Sequence, residues 1–396
     1  MKKTPLSLMI ACMFLLTACQ NGMVTPVEST TLQVTATHPI PATATVVAPE
    51  NVEPVGWEIE VVAQDLYVPW SVVFVDMDHL LVSERSGAIR EIVAGELMAE
   101  PLYQFDDIAA KGEAGLMGLA VDPEFSSSGF LYACYTYRND TALSNKVVRL
   151  KRDTLGNWIL DRILLDDIPS ASNHAGCRLL FAPDGTLFIT TGDAMQPESA
   201  QDIESLAGKI LRINSDGTIP DDNPFTASPL YSYGHRNPQG LAWDVNTGFL
   251  YETEHGPSGF DGPPGGDEIN VIQAGANYGW PVVSHERILE GTISPLIVFT
   301  PAEAPASAMI YSGRIFPQFT GNLFFGALRG EGLVRVTLSG SESIDLSRVE
   351  KIIQDVGRVR DVVEGPDGYI YFTTSNQDGR GEVKPGDDKV YRLIPQ

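Results

Sequence analysis

Two histidines, an arginine, an amide and several carboxylates crowd into the stretch from Tyr231 to Pro281. Gly234-His235-Arg236-Asn237-Pro238-Gln239-Gly240 offers a guanidinium fork beside an amide, a pair suited to a planar ligand with several carboxylates. Glu254-His255-Gly256-Pro257 and Asp267-Glu268 follow. Carboxylates joined by main-chain carbonyls form the hard oxygen set that Ca²⁺ prefers. None of these segments is an EF-hand loop, so a calcium reading rests on the constellation alone.

Three other segments carry similar chemistry. Gly112-Glu113-Ala114-Gly115-Leu116-Met117-Gly118 sets one carboxylate among small residues, which let a backbone come close to a ligand; the same pattern also makes a simple bend with a surface Glu. Ser172-Asn173-His174-Ala175-Gly176-Cys177-Arg178 places His174 just before an apolar strand. A neutral imidazole can take a proton at physiological pH, although a lone histidine is more often structural. Arg358-Val359-Arg360-Asp361 puts two guanidiniums on one strand face by alternation, either to meet an anion or as a solvated edge. Arg329 is a further candidate cation. One ligand reconciles the four segments: a flat polyanion held by arginines and touching a calcium ion, with His174 above it.

These residues need a scaffold, and the text around them is strand and turn. From Trp57 onward, short apolar alternations are bounded by Gly, Pro, Asp and Asn. The nearest approach to a helix is Ser199–Leu206, continued by AGKILRI. A turn-then-strand unit repeats. FAPDGTLFITT from Phe181 and VEGPDGYIYFTT from Val363 match closely, and looser copies begin at Phe74, Val121, Ala242 and Phe316. Asp-Gly supplies the positive φ of a tight hairpin turn. About six such units over some 340 residues predict an all-β fold, a six-bladed β-propeller. Function then belongs to loops at one face.

The formal net charge of −24 excludes a nucleic-acid partner, which would require a basic footprint. Residues 1–19 read as a lipoprotein signal peptide: Lys2-Lys3, an apolar run from Leu6 to Leu16 too short to span a bilayer, then Leu16-Thr17-Ala18-Cys19, which resembles a bacterial lipobox. Cys19 would carry lipid, so the protein is expected to be exported and anchored to the cell envelope rather than membrane-spanning. Residues 20–55 form a Thr/Pro-rich linker without Lys or Arg up to Pro54, and residues 56–396 form the propeller domain. Cys134 and Cys177 remain, either as one disulfide of an exported protein or as two separate thiols. Neither has a C-x-x-C partner, which argues against a thiolate metal site.

The folded part resembles the glucose/sorbosone dehydrogenase family, and within it the soluble aldose sugar dehydrogenases that use pyrroloquinoline quinone (PQQ). The carrying motifs, in the family's order, are VPWSVVF, GEAGLMGLAVDPEF, NHAGCRLLFAPDGTLFITTGD, GKILRINSDGTIPDDNPF, YGHRNPQGLAWD, EHGP…GGDEINVI…GANYGWP and RVRDVVEGPDGYIYF. The resemblance implies an oxidoreductase acting on the C1 hydroxyl of an aldose sugar, with PQQ and Ca²⁺ at the mouth of a six-bladed propeller. It implies His174 as the base and Arg236 as a catalytic cation. Glu113, Arg236, Asn237, Arg329, Arg358 and Arg360 would contact PQQ. Gly256 and Pro257 would offer carbonyls to one calcium site, and Glu268 with the Tyr278 carbonyl to another. Electrons would pass to a quinone or cytochrome.

The chain departs from the family pattern in places. SGFDGPPGG between Pro257 and Asp267 is longer than expected and borders the site. The segment from Thr300 lacks a cofactor-stacking tryptophan, Asn173 stands where some relatives have Asp, and Ser284-His285-Glu286-Arg287 replaces a more aromatic stretch. Two other readings compete. A calcium-dependent hydrolase of the lactonase type would use His174 and calcium without a redox cofactor, but a neutral lactone leaves Arg236, Arg358 and Arg360 without a role. A non-catalytic propeller binding glycans or proteins has no need of His174 in its flanking motif.

Overall fold

The computed structural model describes residues 54–338 and 348–396. The signal segment, Cys19 and nearly all of the linker lie outside these residues. Six antiparallel sheets make up the described chain. The first holds β2 (Pro69–Asp76), β3 (His79–Glu84), β4 (Ala88–Val93), β5 (Glu96–Leu97) and β6 (Tyr103–Gln104); the second β7 (Leu116–Val121), β8 (Leu131–Asn139), β9 (Ala142–Arg152) and β10 (Trp158–Ser170). The third holds β11 (Leu179–Phe181), β12 (Leu187–Thr191), β13 (Lys209–Ile213) and β14 (Leu230–Tyr233); the fourth β15 (Pro238–Trp243), β16 (Leu250–Glu254), β17 (Asp267–Ile272) and β18 (Ile297–Phe299). The fifth holds β19 (Met309–Ile310), β20 (Leu323–Ala327), β21 (Gly332–Val336) and β22 (Val349–Ile353). The sixth is built from β23 (Val359–Glu364), β24 (Ile370–Thr374), β25 (Val390–Pro395) and β1 (Trp57–Ala63).

The first strands of the sheets pack in sequence, β2 on β7, β7 on β11, and so on to β23, which returns to β2. That closed circuit is a six-bladed propeller. The six turn–strand repeats each fall where an innermost strand passes to its neighbour, one per blade. The two Asp-Gly copies take φ of +81° at Gly185 and +89° at Gly368, a region that costs glycine nothing. The stretch nearest to a helix, Ser199–Leu206 with its continuation, forms none. Pro197–Ala200 makes one short 3₁₀ turn, and KILRI is β13, where β-branched residues gain cross-strand partners on both sides.

The core is six apolar layers, each between adjacent blades. Leu81, Ile89, Leu119 and Val148 join the first two blades, for example, and Val72, Val82, Tyr371 and Val390 close the sixth onto the first. Each such side chain stabilises the fold by about 1.5–3 kcal/mol on burial.

Cys134 of β8 is bonded to Cys177, which precedes β11, so the second and third blades are covalently linked. Of the two possibilities open in the sequence, the disulfide is the one the fold adopts. The two cysteines are 43 residues apart. Closing a loop of that length stabilises the native state by about 4 kcal/mol on the chain-entropy account. The Cys134→Ser/Cys177→Ser variant should therefore unfold at a clearly lower denaturant concentration, and an unchanged midpoint would refute this.

Candidate functional site

His174 lies on the segment between β10 and β11, with a left-handed φ of +56°. Gly192 backs this turn so closely that a Cβ there would lie 2.0 Å from the His174 carbonyl oxygen. Three residues further on, Cys177 is fixed by the disulfide. The imidazole is buried, and its Nδ1 sits 2.7 Å from Asp193 Oδ1. A carboxylate only accepts, so Nδ1 carries the proton and Nε2 is left as the basic nitrogen.

Asp193 is fully buried just after β12. Its Oδ2 accepts a 2.8 Å bond from Trp280 Nε1, and its main-chain N–H donates to the Arg236 carbonyl at 2.8 Å. The Asp193 carboxylate thus fixes His174 and Trp280, and its main chain ties this pair to the backbone of Arg236. Asp193→Asn would offer an amide N–H to Nδ1 and favour the wrong tautomer. We expect kcat to fall by up to about 10⁴-fold with little change in KM, measured by steady-state kinetics; an unaltered kcat would remove Asp193 from this role.

Glu113 is a hub rather than a surface acid. Its Oε2 accepts from the His174 main-chain N–H at 3.1 Å and from Asn237 Nδ2 at 3.1 Å, while Oε1 accepts from Arg380 at 3.2 Å. Burial pushes this carboxyl upward, but His255, Arg380, His174 and Arg360 outweigh it and hold it at about 2. Asn237 is fully buried, and its Oδ1 accepts from Gly176 N at 3.2 Å. His255 beside it is pushed down to about 3 by burial, so its ring is neutral.

The arginines differ in their freedom. Arg236 donates through Nε to Asp261 Oδ2 at 2.8 Å, with Nη2 ion-paired to the same oxygen at 2.6 Å, through Nη2 to Ser258 Oγ at 3.3 Å, and through Nη1 to the His255 carbonyl at 2.9 Å. Its guanidinium lies 5.4 Å from the Trp280 ring centroid. Arg358 is ion-paired to Asp378 at 2.7 Å and donates to the Leu328 carbonyl. Among the described residues, Arg360 donates one bond, to Gln239 Oε1 at 2.5 Å, and its buried Nε has no partner. Burial pushes Arg360 down to about 9, still a cation at neutral pH. Arg358 and Arg360 are both buried, so the solvated-edge reading of this pair does not hold. Arg329 is exposed, and its main-chain N–H donates to the Glu303 carbonyl.

Gly256, Pro257, Glu268 and Tyr278 line one small cavity, together with Glu254 and Arg236. A Cβ at residue 256 would lie 2.2 Å from the Gly266 carbonyl oxygen, so glycine is required where the two strands' ends converge. Beneath the cavity, β16 and β17 pair Glu254 with Glu268 and Glu252 with Asn270. Burial, reinforced by the Glu254 charge, drives Glu252 and Glu268 far above the usual carboxylate range. Glu252 Oε1, Asn270 Oδ1 and His235 Nδ1 are buried without hydrogen-bond partners among the described residues. Ligand atoms of His235, Glu252 and Glu254 lie within 4.8 Å of one another.

This donor set fits a hard divalent cation, because crowded buried carboxylates with unsatisfied oxygens are costly unless a cation meets them. The unpartnered Arg360 N–H and the neighbouring guanidiniums fit a flat anion. The sequence reading missed Asp193, Glu252, Asp261, Asp378 and Arg380. Only Glu252 had a legible signal: LYETE places two glutamates on one face of an otherwise buried strand.

The glucose/sorbosone dehydrogenase family model matches residues 66–384. An aldose sugar dehydrogenase of Escherichia coli K12 is 34% identical over 350 residues, covering 82% of this chain and 92% of that protein. Quinoprotein glucose dehydrogenase B of Acinetobacter calcoaceticus is 25% identical over 436 residues, covering 86% and 89%. Among solved structures, the PQQ-bound aldose sugar dehydrogenase of Streptomyces coelicolor superposes with a TM-score of 0.75 at 32% identity, covering 87% of this chain and all of that one. A Thermus thermophilus protein described as a putative oxidoreductase (glucose dehydrogenase) gives 0.78 at 40% identity, covering 86% and 100%.

Proposed function

The chain belongs to the glucose/sorbosone dehydrogenase family, and on that footing we propose that it oxidises aldose sugars at the C1 hydroxyl, giving the lactone, with PQQ and Ca²⁺ as cofactors. The observation that carries the reading is the His174–Asp193 pair beside buried guanidiniums and an acid-lined cavity. His174 Nε2 takes the hydroxyl proton, and Asp193 keeps Nδ1 protonated and stabilises the imidazolium that forms. PQQ, when bound, supplies the hydride acceptor, and Ca²⁺ polarises it.

Arg360 offers its free N–H to an anionic group, and Arg236 sets a positive charge next to Trp280. Glu113 and Asn237 hold the base's segment to the fourth blade. Gly256, Pro257, Glu268 and Tyr278 would hold calcium, with Glu254 and Glu252 completing its surroundings. Arg358 contributes charge largely offset by Asp378, and Arg329 would act from the rim.

We further infer export and a lipid anchor at Cys19, with electrons leaving to a quinone or cytochrome. The Cys134–Cys177 disulfide suits an oxidising compartment. The deciding experiment adds PQQ and Ca²⁺ to the purified apo protein and follows dye reduction with a panel of aldoses. Turnover of at least one aldose, dependent on both additions, supports the reading; no turnover with any of them refutes it.

A further inference from the structure

The loop SGFDGPPGG, residues 258–266, leaves the calcium-side cavity and folds back across the site. The Asp261 side chain is only 6% exposed, and its Oδ2 accepts from Arg236 Nε at 2.8 Å and is ion-paired to Nη2 at 2.6 Å. Asp261 Oδ1 also accepts the Ser258 main-chain N–H at 2.9 Å, so the turn is tied to itself as well as to the arginine. A charge-assisted bond on one carboxylate oxygen and a main-chain bond on the other together hold the loop in place. The residue before it points the other way. Phe260 is 67% exposed, yet its ring lies 6.3 Å from the His174 ring, with only 24° between the planes. A large apolar side chain held beside a basic imidazole and facing solvent has no packing role in the core.

We infer that Phe260 is a specificity-determining residue that forms the apolar wall of the sugar subsite over His174, and that Asp261 is the positioning residue that fastens this wall to Arg236. The inference rests on the sugar-oxidising reading above. A pyranose presents C–H groups on its faces and hydroxyls at its rim. An aromatic ring can cover such a face while leaving the C1 hydroxyl open to Nε2. Loop length and the residue at position 260 would then decide which aldoses fit. The wall binds the ground and transition states alike, so its loss should weaken KM more than kcat.

The test compares wild type, Phe260→Ala, Phe260→Tyr and Asp261→Asn. Steady-state kinetics on the PQQ- and Ca²⁺-loaded proteins give kcat and KM across the aldose panel. Carbethoxylation of His174 by diethyl pyrocarbonate on the cofactor-free proteins, read by peptide mass, reports access to the base without any turnover. Phe260→Ala should raise KM about tenfold, the upper end of a single aromatic contact, with a smaller change in kcat and an altered order of preference among aldoses. Phe260→Tyr should restore both. His174 labelling should accelerate in Phe260→Ala and in Asp261→Asn. An active wild type with unchanged KM in Phe260→Ala overturns the subsite role and leaves the dehydrogenase reading intact. Unchanged His174 labelling in both variants overturns the wall itself. A wild type that oxidises no aldose overturns the dehydrogenase reading and the sugar subsite with it.

Discussion

His174→Ala should lower kcat about 10⁴-fold while PQQ still binds, because a positioned general base contributes up to about that factor. The loss corresponds to about 5.4 kcal/mol of transition-state stabilisation. The side chain makes one described hydrogen bond, to Asp193, whereas its backbone is held separately by Glu113 Oε2 and by the turn against Gly192. Removing the imidazole therefore deletes the basic nitrogen without releasing the segment. Cofactor affinity, followed by tryptophan fluorescence during PQQ titration, should stay near the wild-type value. A variant retaining more than a small fraction of wild-type kcat would show that another group takes the proton. A variant that no longer binds PQQ would show that His174 holds the cofactor rather than the proton.

Removal of calcium should abolish turnover and destabilise the fold at neutral pH. Glu252, Glu254 and Glu268 are gathered on β16 and β17 with their carboxyl groups buried. Glu252 and Glu268 have folded-state pKa values raised above ordinary ones, burial being the main cause. The sign follows: a raised carboxylate binds more protons when folded than when unfolded, so stability falls as pH rises above the unfolded value of about 4.3. A bound divalent cation offsets that loss. Without it the melting temperature should decline from pH 5 to pH 8; with saturating Ca²⁺ the decline should largely vanish. At a calcium concentration of a hundred times Kd the stabilisation is about 2.7 kcal/mol. Differential scanning fluorimetry with EGTA and with calcium checks both statements. A melting curve indifferent to EGTA at pH 8 would refute them.

The fold was legible because each blade repeats the same local problem. Six copies of a turn followed by an alternating strand sit at the same junction in six sheets, and that periodicity survives in the sequence. The weak helical pattern of Ser199–Leu206 comes to nothing, and its continuation KILRI is drawn into cross-strand pairing as β13.

The site was legible in its residue types but not in its pairings. Arg358 and Arg360 were visible in the sequence as a pair of cations on one strand face, but Asp378, which takes Arg358, lies 20 residues on in a separate loop. Glu113 meets Asn237 across 124 residues. Asp193 follows a glycine after a strand, which in sequence is only a turn. Asp261 sits in a loop whose length was conspicuous and whose partner was not. Such contacts are set by how blades stack around the axis, and no short-range pattern encodes that.

The sixth blade takes its fourth strand from the opposite end of the chain: β1 pairs with β25, Trp57 opposite Pro395 and Ala63 opposite Val390. Antiparallel pairing puts residue 57 at the free end of that ladder. A pull arriving through the preceding segment would therefore peel β1 away one pair at a time rather than shear all its bonds at once. Loss of β1 would lay bare the edge of β25. The same adjacency leaves the two ends of the described propeller side by side, with Gln396 N donating to the Gly56 carbonyl at 3.1 Å, so a peptide appended after Gln396 would emerge beside Gly56.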